Sequence, residues 1–393
     1  MNKAIYICAA AAMMLGSCSN DETVEIAKES AISFRSVVGL NTRALNMTQD
    51  TLERKGMYVT TFTKDGGTRL YPETHYELTE GVWVASPAQS WGGYSELNFF
   101  LTYPKLDEWQ AGAELTEISK TVTVTVNEDI SKQKDYVAAN VTASKTGGAV
   151  SVSLKHVLSS IEIRAKNTNG AYTYRVKGIR LNDVNREVDV DLSTFAFTHK
   201  MQIVNSELIL DKPVTLTDQP QSLMGSAQNA ILPPQDGLGE SSWNGTTTAD
   251  PLTGPDDYQH RVGSHISVLI NLTASAGANI YPAGSGSTDD TRTYGWVAVP
   301  VKFGWESGKK YVYTLDFSEG AGKVDPRDPG ADVNPGVTDP DKAKPILGGL
   351  IRFGVTVTDW VPEKYDVDLK DGDKFGNITV DGWTDEKNDA TVN

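Results

Sequence analysis

The sequence predicts an all-β protein made of two β-sandwiches in tandem. After residue 30, apolar and polar residues alternate with a period of two, the signature of half-buried strands. Helical patterning is limited to two short stretches, and neither carries a long apolar stripe. The chain has 393 residues, well beyond the roughly 100 that one sandwich needs. Many short strands, turn residues between them and few helices together give stacked sheets as the architecture.

The first element stands apart from that fold. Residues 1–18 read MNKAIYICAAAAMMLGSC. Lys3 is the only charge, and residues 4–15 are apolar apart from Tyr6 and Cys8. Such a run is too short for a membrane helix, which needs roughly 20 residues, and has the size of a signal-peptide core. Leu15-Gly16-Ser17-Cys18 then resembles the lipobox of bacterial lipoproteins, in which small residues admit a peptidase and the cysteine takes the lipid. Residues 1–17 are therefore the expected signal peptide, Cys18 the expected lipidation site and 18–30 the tether. Cys8 would leave with the signal, and Cys18 is the only other cysteine. A processed chain then has no thiol nucleophile, disulfide or thiolate metal site.

Short helices are expected at 47–56 and 105–111, followed by strands in order. "TVTVTV" (121–126) puts Val122, Val124 and Val126 on one face. A domain seam is expected near 148, at "KTGG", so that 31–148 and 149–369 form the two sandwiches. In "AVSVSLKHVLSSIEIR" (149–164), Val150, Val152, Leu154 and His156 share a face, and from Val157 the apolar set moves to odd positions. That phase slip predicts a bulge or sharp bend. Further on, Ile266, Val268, Ile270 and Leu272 align, as do Val297, Val299, Val301 and Phe303. Tyr311, Tyr313, Leu315 and Phe317 form the next face, and Ile351, Phe353, Val355 and Val357 the last. Two Pro-, Gly- and Asp-rich stretches, 233–264 and 318–345, interrupt the pattern, and the second is an insertion between two strands. Residues 370–393 extend past the expected core.

Charge narrows the partners. The formal net charge is −15, and removing residues 1–17 takes away Lys3 and no acid, leaving −16. Phosphate backbones and anionic lipid repel such a chain, so nucleic acid is not an expected partner. The lipid on Cys18, rather than a basic patch, is the expected membrane contact.

The residues give little catalytic signal. The five histidines (His75, His156, His199, His260 and His265) form no H-E-x-x-H pattern or close pair. His156 lies on an apolar strand face and is expected to be a buried, hydrogen-bonded core residue. No G-x-S-x-G, Walker or G-x-G-x-x-G pattern occurs, and "YPAGSGSTDD" (281–290) lacks the lysine and helix of a phosphate loop. "DGDKFG" (371–376) starts like a calcium loop, but Phe375 and Gly382 occupy its fifth and twelfth positions. No enzyme, metal or cofactor is expected. Of the eight tryptophans, Trp296, Trp305 and Trp360 sit at strand edges as core or rim residues. Trp83, Trp91 and Trp243 are better placed to be exposed, and Trp91 and Trp243 are the expected platforms if the protein captures glycans.

Several segments together are similar to the fimbrillins, the lipoprotein-derived type V pilins of Bacteroidetes. They are the lipobox with its acidic tail at 18–22, "ISFRSVVGLNTRALN" (32–46) and "WVASPAQSWGGYSELNFFLTYP" (83–104). "DYVAANV", "VSVSLKHVLSSIEIRAKN", "GKKYVYTLDF" and "IRFGVTVTDWVPEKYDVDL" follow in order. The resemblance implies two tandem transthyretin-like, Greek-key β-sandwich domains. It also implies a lipidated precursor at the outer membrane, cut by a trypsin-like or arginine-specific protease after its first strand. Loss of that strand opens a groove that a strand of another pilin subunit fills, by β-strand addition into an open-ended polymer. Arg43-Ala44 matches the cut, with Arg35 and Arg54 as alternatives. The small, polar Gly39–Thr42 stretch suits a protease cleft independently of the resemblance. The family's C-terminal appendage points to "FGNITVDGW" (375–383) as donor strand, with Ile378 and Val380 on one face and glycines weakening it. The competing expectation is a surface-anchored, glycan- or ligand-binding lipoprotein that never polymerises.

Overall fold

The structure, a computed structural model, describes residues 31–38, 49–200, 203–236, 264–288, 291–301, 303–325, 345–349 and 351–360. The first half of these contains β1 (Ser33–Val38), α1 (Gln49–Lys55), β2 (Met57–Thr63), β3 (Arg69–Thr79), β4 (Val82–Ala85), β5 (Glu96–Tyr103), α2 (Leu106–Trp109), β6 (Thr121–Thr125), β7 (Val137–Ser144) and β8 (Val150–His156). Next come β9 (Ser159–Lys166), β10 (Tyr172–Asn185), β11 (Glu187–Asp191), β12 (Ala196–His199), β13 (Ile203–Thr215), β14 (Gln221–Ser222), β15 (Ala230–Leu232) and β16 (Gln235–Asp236). The remainder are β17 (His265–Ala274), β18 (Asn279–Tyr281), β19 (Gly295–Pro300), β20 (Gly304–Trp305), β21 (Lys309–Asp316), β22 (Lys323–Val324) and β23 (Arg352–Asp359). The all-β expectation holds, and the two short helices fall where the sequence placed them.

Seven strands close on themselves in the order β1-β4-β3-β2-β5-β7-β8. Their inward faces enclose one apolar cluster that includes Phe34, Tyr76, Trp83, Trp91, Phe99 and Leu154. The second cluster is larger and lies among the remaining sheets, with β17 at the centre of the path β13-β10-β17-β19-β22. In β10 a bulge between Val176 and Gly178 lets the sheet bend. Gly178 is required there, because a Cβ would stand 2.7 Å from the Leu208 carbonyl oxygen. The alternating valines of β6 turn inward, and β6 pairs with β11. Leu106, Trp109 and Leu115, which precede it, also belong to the second cluster.

The phase slip at 157 has a clear structural meaning. β8 follows a strict buried–exposed alternation and pairs with β1 and β7 in the barrel. Val157 and Leu158 are then both buried, and β9 runs in a different sheet, parallel to β21. A shift of one residue exchanges the faces of a strand, and here it carries the chain from one core to the next. The change of sheet thus falls at Val157-Leu158, beyond the seam expected near 148, and β8 remains with the barrel.

β21 and β23 are antiparallel neighbours, so the Asp-rich stretch between them is an insertion, as its sequence indicated. On β23 the alternation is only partly buried: Val355 and Val357 are 43% and 52% exposed, while their partners Tyr313 and Tyr311 are buried.

Candidate assembly site

β1 is the stave that closes the barrel. Phe34 through Val38 pair in parallel with Val150 through Leu154 of β8, and Ser33 and Phe34 pair antiparallel with Val84 and Trp83 of β4. Just before the strand, the Ile32 amide donates to the Gln89 carbonyl at 2.8 Å. Alternation drives the burial: Ile32 and Phe34 are 1% and 0% exposed, and Arg35 points out to solvent. The Phe34 ring meets Tyr76 edge-on at 5.2 Å and Phe99 edge-on at 5.1 Å. Edge-to-face contact sets the positive rim of one ring against the negative face of the next. Tyr76 keeps its phenol satisfied by donating to Gln89 Oε1 at 3.0 Å, and burial pushes its pKa well above the ordinary value. Phe34 therefore lies at the centre of the barrel core and is not a rim residue.

Residues 39–48 connect the closing stave to α1 and everything after it. The expected cut at Arg43-Ala44 falls in that connection, outside the described residues. Cys18, Trp243, Ile378 and Val380 also lie outside them.

Trp91 is corrected by the structure. It is 2% exposed and packs edge-on against Phe99 at 5.6 Å, so it cannot be an exposed ligand platform. Trp83, at 1%, is also core. Trp83 is buried by its inward phase on β4, whereas Trp91 lies outside the strands and is buried against Phe99 of β5. The strand-edge tryptophans Trp296, Trp305 and Trp360 are buried, as expected.

His156 ends β8 as the buried, bonded histidine the sequence predicted. It is 4% exposed, with Nδ1 at 2.8 Å from Asp135 Oδ2, and its ring stacks on Trp360 at 3.9 Å and 16°. The Ser307 hydroxyl donates to the His156 carbonyl, and the Trp360 amide donates to the Gly308 carbonyl. These contacts fix the root of the C-terminal segment against the end of β8.

A buried polar cluster in the second core was not foreseen. Asp325 is 0% exposed; it accepts from the Ser267 hydroxyl and lies 3.4 Å from His265 Nε2 and 3.7 Å from Arg180 Nη2. The Arg180 guanidinium stands 4.1 Å over the Trp296 ring. Burial alone would raise the Asp325 pKa, but His265, Arg180 and Ser267 together bring it down to about 2. Serine, histidine and aspartate meet here, but the serine hydroxyl donates to the aspartate instead of the histidine. That connectivity gives no activated nucleophile. The sequence held one weak signal, His265-x-Ser267 on the polar phase of a strand whose other phase is wholly apolar. Among the described residues no cluster of histidine, cysteine and acidic side chains is arranged to hold a metal.

A sequence profile described as fimbrillin-like matches residues 42–360. The chain belongs to the fimbrillin-like family. The fimbrillin-like match begins beside Arg43 and ends at Trp360, the last described residue. No curated protein matches the chain significantly. Among solved structures, a fimbrial protein from Bacteroides vulgatus superposes with a TM-score of 0.52 at 14% identity, covering 84% of this chain and 99% of that one. A candidate cell adhesion protein from Parabacteroides distasonis gives 0.47 at 12% identity over 85% and 98% of the two chains. Another from Bacteroides ovatus gives 0.44 at 15% identity over 85% and 99%. At such identity the first of these establishes a shared fold.

Proposed function

We propose that this fimbrillin-like protein is a cell-surface fimbrial subunit or adhesin, exported as a lipoprotein on Cys18 and activated by a cut at Arg43. The observation that carries the reading is β1 itself. It completes the barrel and fills the barrel core with Phe34, yet joins the rest of the chain only through residues 39–48. Cutting at Arg43 leaves β1 held by noncovalent contacts alone. A strand from another subunit then replaces it, with ladder hydrogen bonds giving affinity and inward side chains giving specificity. Family membership supports the fimbrial and surface role, and the lipobox supports the membrane tether before processing.

The test uses residues 19–393 treated with an arginine-specific protease. An arginine-specific enzyme is preferred to trypsin, which also recognises lysines such as Lys364, Lys370 and Lys374. The expected result is a discrete product starting at Ala44 and an oligomer ladder on a non-denaturing gel, both absent in Arg43→Ala. A cut chain that stays monomeric at high concentration refutes polymerisation.

A further inference from the structure

We infer that the cleft around Arg186 is a binding site for an acidic sugar, one carboxylate ringed by hydroxyls, as in a uronic or sialic acid residue. The inference goes beyond strand exchange and does not depend on it.

The cleft has a volume of about 470 Å³ and lies where α2, the segment after β6, the segment before β7 and the turn between β10 and β11 meet. Sites for small ligands span roughly 300–1,000 Å³. The whole chain carries a net charge of −15, yet three cations line this cleft, Lys132, Lys134 and Arg186, against two acids, Glu108 and Glu128. The lining therefore has one positive charge in excess. The Tyr136 ring is buried against Trp109 at 5.0 Å and gives the cleft a fixed wall.

Arg186 is the anchored cation. Its carbonyl accepts from the Val126 amide at 2.8 Å, and its Nη1 donates to the Val126 carbonyl at 3.1 Å. These two bonds hold the guanidinium in place without using its other edge. Nη2 stands 3.7 Å from Glu128 Oε2, beyond hydrogen-bond reach, and Nε is buried with no hydrogen-bond partner among the described residues. Burial lowers the Arg186 pKa, and the Glu128 carboxylate opposes that shift only in part. Nε and Nη2 lie side by side, and such an edge grips a carboxylate through two parallel bonds. A carboxylate placed there satisfies both nitrogens and compensates the charge.

The surrounding pairs are loose enough to admit it. Lys134 meets Glu108 at 3.0 Å and Lys132 meets Asp129 at 2.8 Å, with all four side chains between 38% and 68% exposed. Exposed pairs of this kind contribute little and exchange at small cost. Glu128 is 67% exposed, so it can turn from Arg186 to a ligand.

The two glutamates select what accompanies the carboxylate. They accept hydrogen bonds from hydroxyls and repel further negative charge. A sugar acid brings one carboxylate for Arg186 and several hydroxyl donors for Glu108 and Glu128. An acidic peptide brings repeated carboxylates and few hydroxyls, and a simple anion leaves the glutamates unused.

The experiment titrates uncleaved residues 19–393 with glucuronate, N-acetylneuraminate, glucose, acetate and a tetra-aspartate peptide, followed by ligand-observed nuclear magnetic resonance. At least one sugar acid is expected to bind ~10-fold or more tightly than glucose, acetate and the peptide. Arg186→Lys keeps the charge and loses the fork, and is expected to weaken that sugar acid by ~10-fold or more. Lys134→Glu reverses a charge at an exposed position without touching the Val126 contacts, and is expected to weaken it by at least ~10-fold while the melting temperature holds. Glucose, acetate or the peptide binding as tightly as both sugar acids overturns the assignment. Sugar-acid binding that survives Lys134→Glu and Arg186→Lys unchanged also overturns it, by placing the ligand elsewhere. The chain is never cut in this experiment, so a failure here leaves strand exchange standing, and a chain that never polymerises leaves this site standing.

Discussion

Replacing Phe34 with alanine tests whether β1 is a structural stave or a loosely laid strand. The ring is wholly buried and touches Tyr76 and Phe99 edge-on. A buried Phe→Ala change costs about 3–5 kcal/mol in lost transfer energy and cavity formation. Each edge-to-face pair contributes roughly 0.5–1.5 kcal/mol within that total. A loss of about 4 kcal/mol is therefore expected from the barrel, a large share of the roughly 5–15 kcal/mol by which domains are stable. The assay is urea unfolding of uncleaved residues 19–393, followed by near-ultraviolet circular dichroism. With a slope of roughly 1–3 kcal/mol per molar, the barrel midpoint moves down by about 1–4 M at unchanged slope. A loss below about 1 kcal/mol would show that the ring is not packed as described. The account of β1 as the element whose removal opens the barrel would then fail.

Trp91→Ala is expected to destabilise the barrel by about 3–5 kcal/mol, as a core deletion does, and a thermal shift measurement reads it. An unchanged melting temperature with loss of binding on a glycan array would restore the platform role. Asp325 carries a pH prediction. Its folded pKa of about 2 lies below the ordinary 3.8, so its stabilising effect is full above about pH 4 and is lost as pH falls through about 2. The difference corresponds to about 2 kcal/mol. Urea midpoints between about pH 4 and pH 2 should fall less steeply in Asp325→Asn, although that variant starts less stable because Arg180 and His265 lose their carboxylate. An identical slope in both proteins would sink the assignment.

Much of the fold could be read from period-two alternation, because a strand with one buried face must alternate. Val122, Ile266 and Leu315 fall inward for that reason. The phase slip at Val157 was visible as a slip, but its role as a change of sheet was not, since pairing partners are far away in sequence. The same non-locality hid the fate of Trp91. Nothing near it in the sequence shows that β1 and β5 bring Phe34 and Phe99 together to cover that face. The alternation of Ile351, Phe353, Val355 and Val357 also overstated burial, since β23 pairs only with β21 among the described strands. The Arg180–Asp325 cluster joins residues distant in sequence and leaves only the weak His265-x-Ser267 signal.

In the strand-exchange reading, the cut at Arg43 permits release of β1 without causing it. Before the cut, an opened β1 rebinds from an effective concentration set by a short tether, in the millimolar range. Afterward, rebinding depends on dilution, and a fragment lipidated at Cys18 stays with the membrane as the rest departs. The hold on β1 is uneven along its length. Ser33 and Phe34 are paired to β4, and Phe34 has β8 on its other side, whereas Arg35 through Val38 pair with β8 alone. The Val38 end is thus the weaker end, the one an incoming strand would reach first. In that reading displacement proceeds from the singly paired end toward the doubly paired one, and the Phe34 ring leaves last. On the strand-exchange reading, a side chain that anchors the barrel before the cut is thus the last to be replaced after it.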